Sequence, residues 1–307
     1  MLDGLLDTPP ASADRLIKAV GAGGEIRIVA VTTPAVLATA RSKHQMTAIA
    51  TAALGRAMGA SLLLASSMKE PQARVNVRVA GDGQLGLIFA DAGQDGTARG
   101  FVSHPQVDNI WQDQHILDIA SAVGFGGFLR VMRDIGFGEP YSSTVELVSG
   151  EIGADVSWYL ASSEQTLSKL LLGECLEADQ IVRSGGILIQ VMPQSARNEK
   201  LIQQLDEQIP SAREFSQALA SGKSVEDILQ DLLGSFNLLW LPSPKPVRFQ
   251  CRCSFDRVLG ALKILGVAEL RDMIQKDEGA EAVCHFCSQV YRADRQQLEK
   301  IVAELVG

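Results

Sequence analysis

The 307-residue chain is poor in aromatics, poor in histidine and lacks any excess of positive charge, and each shortage excludes something. Aromatic side chains make up 5% of it, so the core must be built from aliphatic residues. Three of its four histidines, His44, His104 and His115, are scattered, and no serine elbow or HExxH motif accompanies them. They are expected to be solvated or packed residues rather than catalytic bases. An enzyme carrying a structural zinc ribbon, the main alternative reading, therefore has no visible catalytic set. Lys and Arg number 28 against 36 Asp and Glu, a net charge of −8, and no long run of one sign occurs. Nucleic-acid binding needs clustered cations to neutralise phosphate, so no such partner is expected. Residues 1–10 lack the basic start and unbroken apolar stretch of an export signal. Residues 46–65 are apolar enough to suggest a membrane span, and Gly55 and Gly59 have GxxxG spacing. Arg56 sits at their centre, where a charge in hydrocarbon is costly. A buried core helix is expected instead, with no membrane partner.

What remains is a chain of short alternating segments. A helix is expected over 12–22, a strand over 25–32 and the long apolar helix over 45–65. Val75, Val77 and Val79 alternate with polar residues, Gly81-Asp82-Gly83 turns the chain, and Leu85, Leu87 and Phe89 alternate on the return. Further strands are expected over 98–103, 126–134, 143–148, 167–175 and 185–192, with a helix over 152–162. Strands outnumber helices, which predicts an α+β fold of mainly antiparallel sheets around a buried long helix. Gly124-Phe125-Gly126-Gly127 has the look of a nucleotide loop but precedes a strand rather than a helix, so no dinucleotide site is expected.

The pattern changes after Pro193. Ser211-Ala212-Arg213-Glu214 is a capping box, and Ser224 caps a second helix. In that helix Val225, Ile228, Leu229, Leu232 and Leu233 form one apolar stripe that must be covered by something. Pro242, Pro244 and Pro246 then break the chain. The expected layout is a core over 1–193, a helical linker over 194–246 and a small terminal module over 247–307. Eight Lys and Arg against nine Asp and Glu in 250–307 argue against a nucleic-acid-binding ribbon.

That module carries four of the five cysteines: Cys251-Arg252-Cys253, then thirty residues on, Cys284-His285-Phe286-Cys287. Two close pairs separated by a loop are what a tetrahedral zinc site needs. The i, i+2 pair points to one face of an extended segment, and the two-residue spacing lets a tight turn aim both sulfurs at one point. One Zn2+ per chain is expected on Cys251, Cys253, Cys284 and Cys287, with His285 outside the set. Four thiolates leave no open coordination position, so the metal is structural rather than hydrolytic. Zinc thiolates are also the form that oxidants attack. Four cysteines permit three pairings, and nearness in sequence favours Cys251 with Cys253 and Cys284 with Cys287. Extended residues two apart are separated by about 6.6 Å, whereas a disulfide prefers about 5.5–6 Å. Closing Cys251 to Cys253 is thus expected to distort the backbone that serves the metal. Cys175 stands alone and is expected to be a packed cysteine. Without an export signal, this usage predicts a reducing compartment, the cytoplasm.

With these residues in view, the chain resembles the heat shock protein 33 family, the redox-regulated holdase chaperones. The CxC and CxxC pairs carry the most specific match. Others are Gly81-Asp82-Gly83, Arg99-Gly100, Val123-Gly124-Phe125-Gly126, Tyr159 with Ser163-Glu164-Gln165, and the run from Gly185 to Pro193. Tyr141-Ser142-Ser143 departs from the family's Tyr-Gln-Gly, which puts a local turn in question. The resemblance implies an ATP-independent chaperone, silent when reduced and zinc-bound. It further implies that oxidation releases zinc, forms two disulfides, unfolds the module and loosens the linker. The partners implied are unfolding client proteins, with a homodimer possible in the oxidised state. Client-binding residues do not carry over individually; the stripe from Val225 to Leu233 is the candidate, hidden under the zinc module until that module is lost.

Overall fold

The computed structural model describes residues 14–113, 116–276 and 279–306. His115, the segment 1–10 and the first two residues of the helix expected over 12–22 lie outside them. The chain divides into two compact units, meeting at Phe249 and Gln250. The first begins with β1 (Arg15–Gly21), β2 (Ile26–Thr32), α1 (Pro34–His44), α2 (Ala48–Ala65), β3 (Arg74–Gly81), β4 (Leu87–Gly93) and β5 (Thr97–Val102). A short pair follows, β6 (Trp111–Asp113) and β7 (Ile116–Leu117), then α3 (Ile119–Val123), β8 (Gly127–Asp134), β9 (Tyr141–Glu146) and α4 (Ile152–Ser162). Next come β10 (Ser168–Glu177), β11 (Gln180–Val191), α5 (Glu199–Gln208), α6 (Ala212–Ala220) and α7 (Val225–Leu233). Three two-residue strands close the unit: β12 (Leu239–Trp240), β13 (Lys245–Pro246) and β14 (Arg248–Phe249). The second unit holds α8 (Phe255–Lys276), β15 (Gly279–Val283), β16 (Val290–Asp294) and α9 (Arg295–Val306).

Two larger sheets form the first unit, one ordered β10-β11-β2-β1-β12 with β13 also on β1, the other β14-β5-β4-β3-β8-β9. Their strand pairs are antiparallel except that β14 runs parallel to β5. This is the α+β, mainly antiparallel fold expected from the alternation. The apolar stretch at 46–65 forms α2, and every residue of that helix is buried. It packs with Val29, Val31 and Leu188 of the first sheet and Val75, Val77, Val79 and Ile88 of the second. The small residues serve this contact: a Cβ at Gly59 would lie 3.2 Å from Leu172, and one at Gly55 would strike Leu37 at 2.5 Å. Arg56 is not stranded in the core. Its Nε and Nη2 bond Glu174 at 3.0 and 2.8 Å, and Nη1 pairs with Glu151. Burying a charge is tolerable only with such pairing.

The helix expected over 12–22 is instead strand β1, paired to β2 from Leu16 opposite Val31 to Gly21 opposite Ile26. Arg-Leu-Ile-Lys-Ala is an acceptable helix sequence, but the turn at Ala22, Gly23 and Gly24, all with positive φ, folds it into a hairpin. The ladder then overrides local propensity. Helix α1, which the sequence reading left without an element, starts with Pro34 at its first turn. Asp14 receives the N–H groups of Ala35 and Val36 at 3.1 and 2.7 Å there. Tyr141-Ser142-Ser143, whose departure from the family pattern put a local turn in question, begins the edge strand β9.

The linker stripe is covered, but by a different surface from the one expected. Val225, Ile228, Leu229 and Leu233 are buried and Leu232 partly so, in a cluster with Ile26, Ile28, Ala30, Ile187 and Ile189. Among the described residues the cover is thus the outer face of the first sheet, in the same unit as the stripe. The apolar period of α7 could show that a cover is needed, but not which surface supplies it. Gly173 permits the close approach of α6: a Cβ there would meet Ser216 Oγ at 2.5 Å and Phe215 at 2.9 Å. Arg15 ties β1 to α7 by bonding Glu226 at 2.8 Å. The seam is incompletely filled. A cleft of about 810 Å³ opens between α4, β10 and α5, lined by Trp158, Leu171, Ile189 and Ile202.

Candidate metal centre

The second unit has little core of its own. Among the described residues five buried apolar side chains, Leu262, Leu270, Ala293, Leu298 and Ile301, form its centre. Helix α8 is broken at Gly266, whose φ of 85° and ψ of 167° no helix accepts. Strands β15 and β16 pair from Gly279 opposite Asp294 to Val283 opposite Val290. The hairpin loop between them is the CxxC knuckle. Cys284 N–H donates to Gln289 C=O at 2.9 Å, and the Cys284 C=O accepts from the N–H groups of Cys287 and Ser288 at 3.3 and 2.8 Å. Ser288 takes a positive φ of 57° to close this turn. The CxC segment enters from the other side and leads into α8, where Ser254 Oγ accepts from Arg257 N–H at 3.3 Å.

All four sulfurs converge. The Sγ atoms of Cys251, Cys253, Cys284 and Cys287 lie within 4.8 Å of one another. Cys251 and Cys284 are 3.6 Å apart, and Cys253 and Cys287 3.4 Å. A disulfide would bring sulfurs to about 2.05 Å. Sulfurs about 2.3 Å from a tetrahedral metal stand about 3.8 Å apart. The spacing therefore fits a tetrathiolate metal centre and is too long for a bond between sulfurs. Both of these close approaches are crossed pairs, one cysteine from each motif, as expected when both motifs contribute edges to one tetrahedron. His285 is not in the converging set.

The thiols are unequal. Burial works to raise Cys251, but hydrogen bonds from the Cys253 backbone and the neighbouring thiols outweigh it and lower it to about 7. Burial raises Cys284 and, further, Cys287. The sequence reading missed one residue of this site. Tyr291 donates its hydroxyl to Cys253 Sγ at 3.0 Å, and that bond holds its phenol up at about 12. Its ring stacks on Phe255, with centroids 6.4 Å apart. A tyrosine four residues after the second CxxC cysteine, in a strand, was the available signal.

Elsewhere no catalytic set emerges among the described residues. His104 Nδ1 meets the Gln84 carbonyl at 2.9 Å. Cys175 is half-buried on β10, and burial pushes its thiol up. Gly124, Gly126 and Gly127 wrap a hairpin rather than a phosphate. Gly126 N–H donates to Asp82 Oδ1 at 3.1 Å, and a Cβ at Gly124 would meet Asp82 Oδ1 at 2.1 Å.

The family model described as Hsp33 protein matches residues 14–294. The chain belongs to the Hsp33 family. A 33 kDa chaperonin of Synechocystis is 55% identical over 293 residues, covering 95% of this chain and 97% of the relative. A 33 kDa chaperonin of Synechococcus elongatus is 52% identical over 293 residues, at 95% and 98% coverage. The crystal structure of a 33 kDa chaperonin from Thermotoga maritima superposes with a TM-score of 0.84 at 27% identity, over 96% of this chain and 99% of that one. As a member of a chaperone family the chain is not an enzyme, and the alternative of an enzyme with a zinc ribbon falls. The chaperone expected from the resemblance is what the Hsp33 match supports.

Proposed function

We propose that this Hsp33-family chaperone is an ATP-independent holdase switched by oxidation at the four-cysteine centre. The observation that carries it is the convergence of four thiols in a unit whose described residues form a core of five buried apolar side chains. Zinc on Cys251, Cys253, Cys284 and Cys287 supplies the missing stability, since structural zinc contributes about 10–16 kcal/mol in small domains. Tyr291 orients Cys253 and moderates its charge. One of the four thiolates attacks peroxide first. Its sulfur takes one peroxide oxygen as a sulfenic acid, with water leaving. A second thiolate displaces that oxygen, again as water, and a disulfide remains; each disulfide sends two electrons to one peroxide. Sequence neighbours favour Cys251–Cys253 and Cys284–Cys287 as the products. Forming either pair withdraws sulfurs from the tetrahedron, so metal and disulfides exclude each other and the module unfolds.

The linker, 194–246, then loosens from the first sheet. Its release uncovers two faces at once, the stripe Val225, Ile228, Leu229, Leu232 and Leu233 and the sheet residues Ile26, Ile28, Ile187 and Ile189. Burial of each such side chain is worth roughly 1.5–3 kcal/mol, so both faces bind apolar segments of unfolding clients in the cytoplasm. The open cleft beside α5 marks where that release is cheapest. The test is an aggregation assay on the purified protein before and after peroxide. Suppression only after oxidation supports a switch; equal suppression in both states rejects it.

A further inference from the structure

Three cations share the inner face of the first sheet, beyond the end of α2. Ile26, Ile28 and Ala30 of β2 turn outward to the linker, so Arg27 between them turns inward. Lys18 of β1 faces the same way, and its Nζ donates to the Ser66 C=O, at the C-terminus of α2, at 2.8 Å. Lys245 of β13 stands opposite Leu16, which packs in the inner core, and its Nζ donates to the Gln94 C=O at 2.5 Å. The strand register fixes their order. Lys245 is level with Leu16, Lys18 comes two residues further along β1, and Arg27 stands opposite Val20, two further again. The three form a diagonal row across neighbouring strands. Diagonal neighbours on a sheet stand about 7–8 Å apart, so the row extends over about 15 Å at the backbone.

No acid neutralises this row. All three side chains are half-buried, and none pairs with a carboxylate among the described residues. The Arg27 guanidinium bonds no described group at all. Burial and the charges of Arg27 and Lys245 lower the Lys18 ammonium from its usual value, and burial lowers Arg27. On a chain of net charge −8 this is a local excess of positive charge, held together against its own repulsion. Each ammonium has three donors and spends one on a carbonyl, while the guanidinium's five are unspent. Its planar fork fits two oxygens of one phosphoryl group. A phosphate chain is the small anion whose charge repeats along a line, as these cations do. We propose that Lys18, Arg27 and Lys245 form a binding site for a short phosphate chain, a di- or triphosphate laid along the diagonal. Lys245 belongs to the linker, and Lys18 and Arg27 to the first sheet. The bound chain therefore ties the end of the linker to that sheet and favours the silent arrangement; this last step alone rests on the proposed function.

Isothermal titration of the reduced, zinc-loaded full chain tests this, with tripolyphosphate, pyrophosphate, ATP and sulfate at one ionic strength and zinc content verified afterwards. The readout is binding, so it stands apart from the redox switch. One equivalent of pyrophosphate or tripolyphosphate should bind, and sulfate should bind at least about tenfold more weakly. ATP binding as tightly as tripolyphosphate supports the site and extends it to nucleotides; ATP binding more weakly supports it and restricts it to inorganic chains. Arg27→Gln and Lys245→Gln should each weaken tripolyphosphate binding at least about tenfold. Lys200→Gln makes the same charge change on exposed α5 and should leave binding unaltered. If Arg27→Gln does not fold, Lys245→Gln, on the two-residue strand β13, decides the matter. Absence of binding, sulfate binding as tightly as the phosphate chains, or equal losses in all three variants overturns the proposal.

Discussion

Cys253 holds the only sulfur of the four that accepts a described hydrogen bond from a phenol, and that contact makes the site tunable. Groups bonded to metal ligands typically change metal affinity 10–100-fold when removed. Tyr291→Phe should weaken zinc binding by about tenfold and speed zinc loss to peroxide, read by competition with a chromophoric chelator. Unchanged affinity would show the hydroxyl to be incidental. Cys175→Ser should leave the redox response intact, because that thiol lies in the first unit and is pushed up by burial. Asp14 gives a pH signature. Burial pushes its carboxyl up from 3.8 to about 6, against the lowering effect of the Val36 and Ala35 N–H groups. A group that binds its proton more tightly when folded adds stability in acid and loses it as pH rises from about 4 to about 6. Asp14→Asn should flatten the stability profile in that window relative to the parent, measured by urea unfolding; parallel profiles would contradict it. At this scale the sequence displayed the four cysteines that converge, since their paired spacing marks them. It concealed Tyr291 and the Arg56 pairing, which depend on chain segments 38 and 118 residues apart.

Elements reveal the limits of local pattern more sharply. The hairpin at β3–β4 and the helices α2, α4 and α7 were legible because period and caps act within a few residues. Strand β1 was not, because its structure comes from β2 and a glycine turn rather than from its own propensity. The stripe of α7 was legible as a face, and its cover was not. That distinction changes what a mutation should do. Leu229 is fully buried against the first sheet, so Leu229→Asp places an unpaired carboxylate in an apolar seam. It should release α5–α7 and let the reduced, zinc-loaded protein suppress client aggregation without oxidant. Hydrogen exchange gives the independent readout: protection should fall in 199–233 while β2 and β11 stay protected. Released helices with no gain in activity would remove the linker–sheet seam from the mechanism.

For the whole molecule the question is whether metal occupancy sets activity. Two compact units joined between Phe249 and Gln250 make the second one dispensable for folding of the first, whose core clusters are its own. A chain ending at Phe249 should therefore remain folded. On the proposed mechanism the metal would act only by keeping the terminal unit folded, and loss of that fold would let the linker loosen. Zinc release and chaperone activity should then be one event seen twice. The direct test is a peroxide time course on one reduced, zinc-loaded sample, with released zinc followed by a chromophoric chelator and aliquots assayed for suppression of client aggregation. The two curves should rise together, and thiol reduction with added zinc should reverse both. Full activity while the zinc remains bound, or complete zinc release from a protein that stays silent, would contradict the four-cysteine switch.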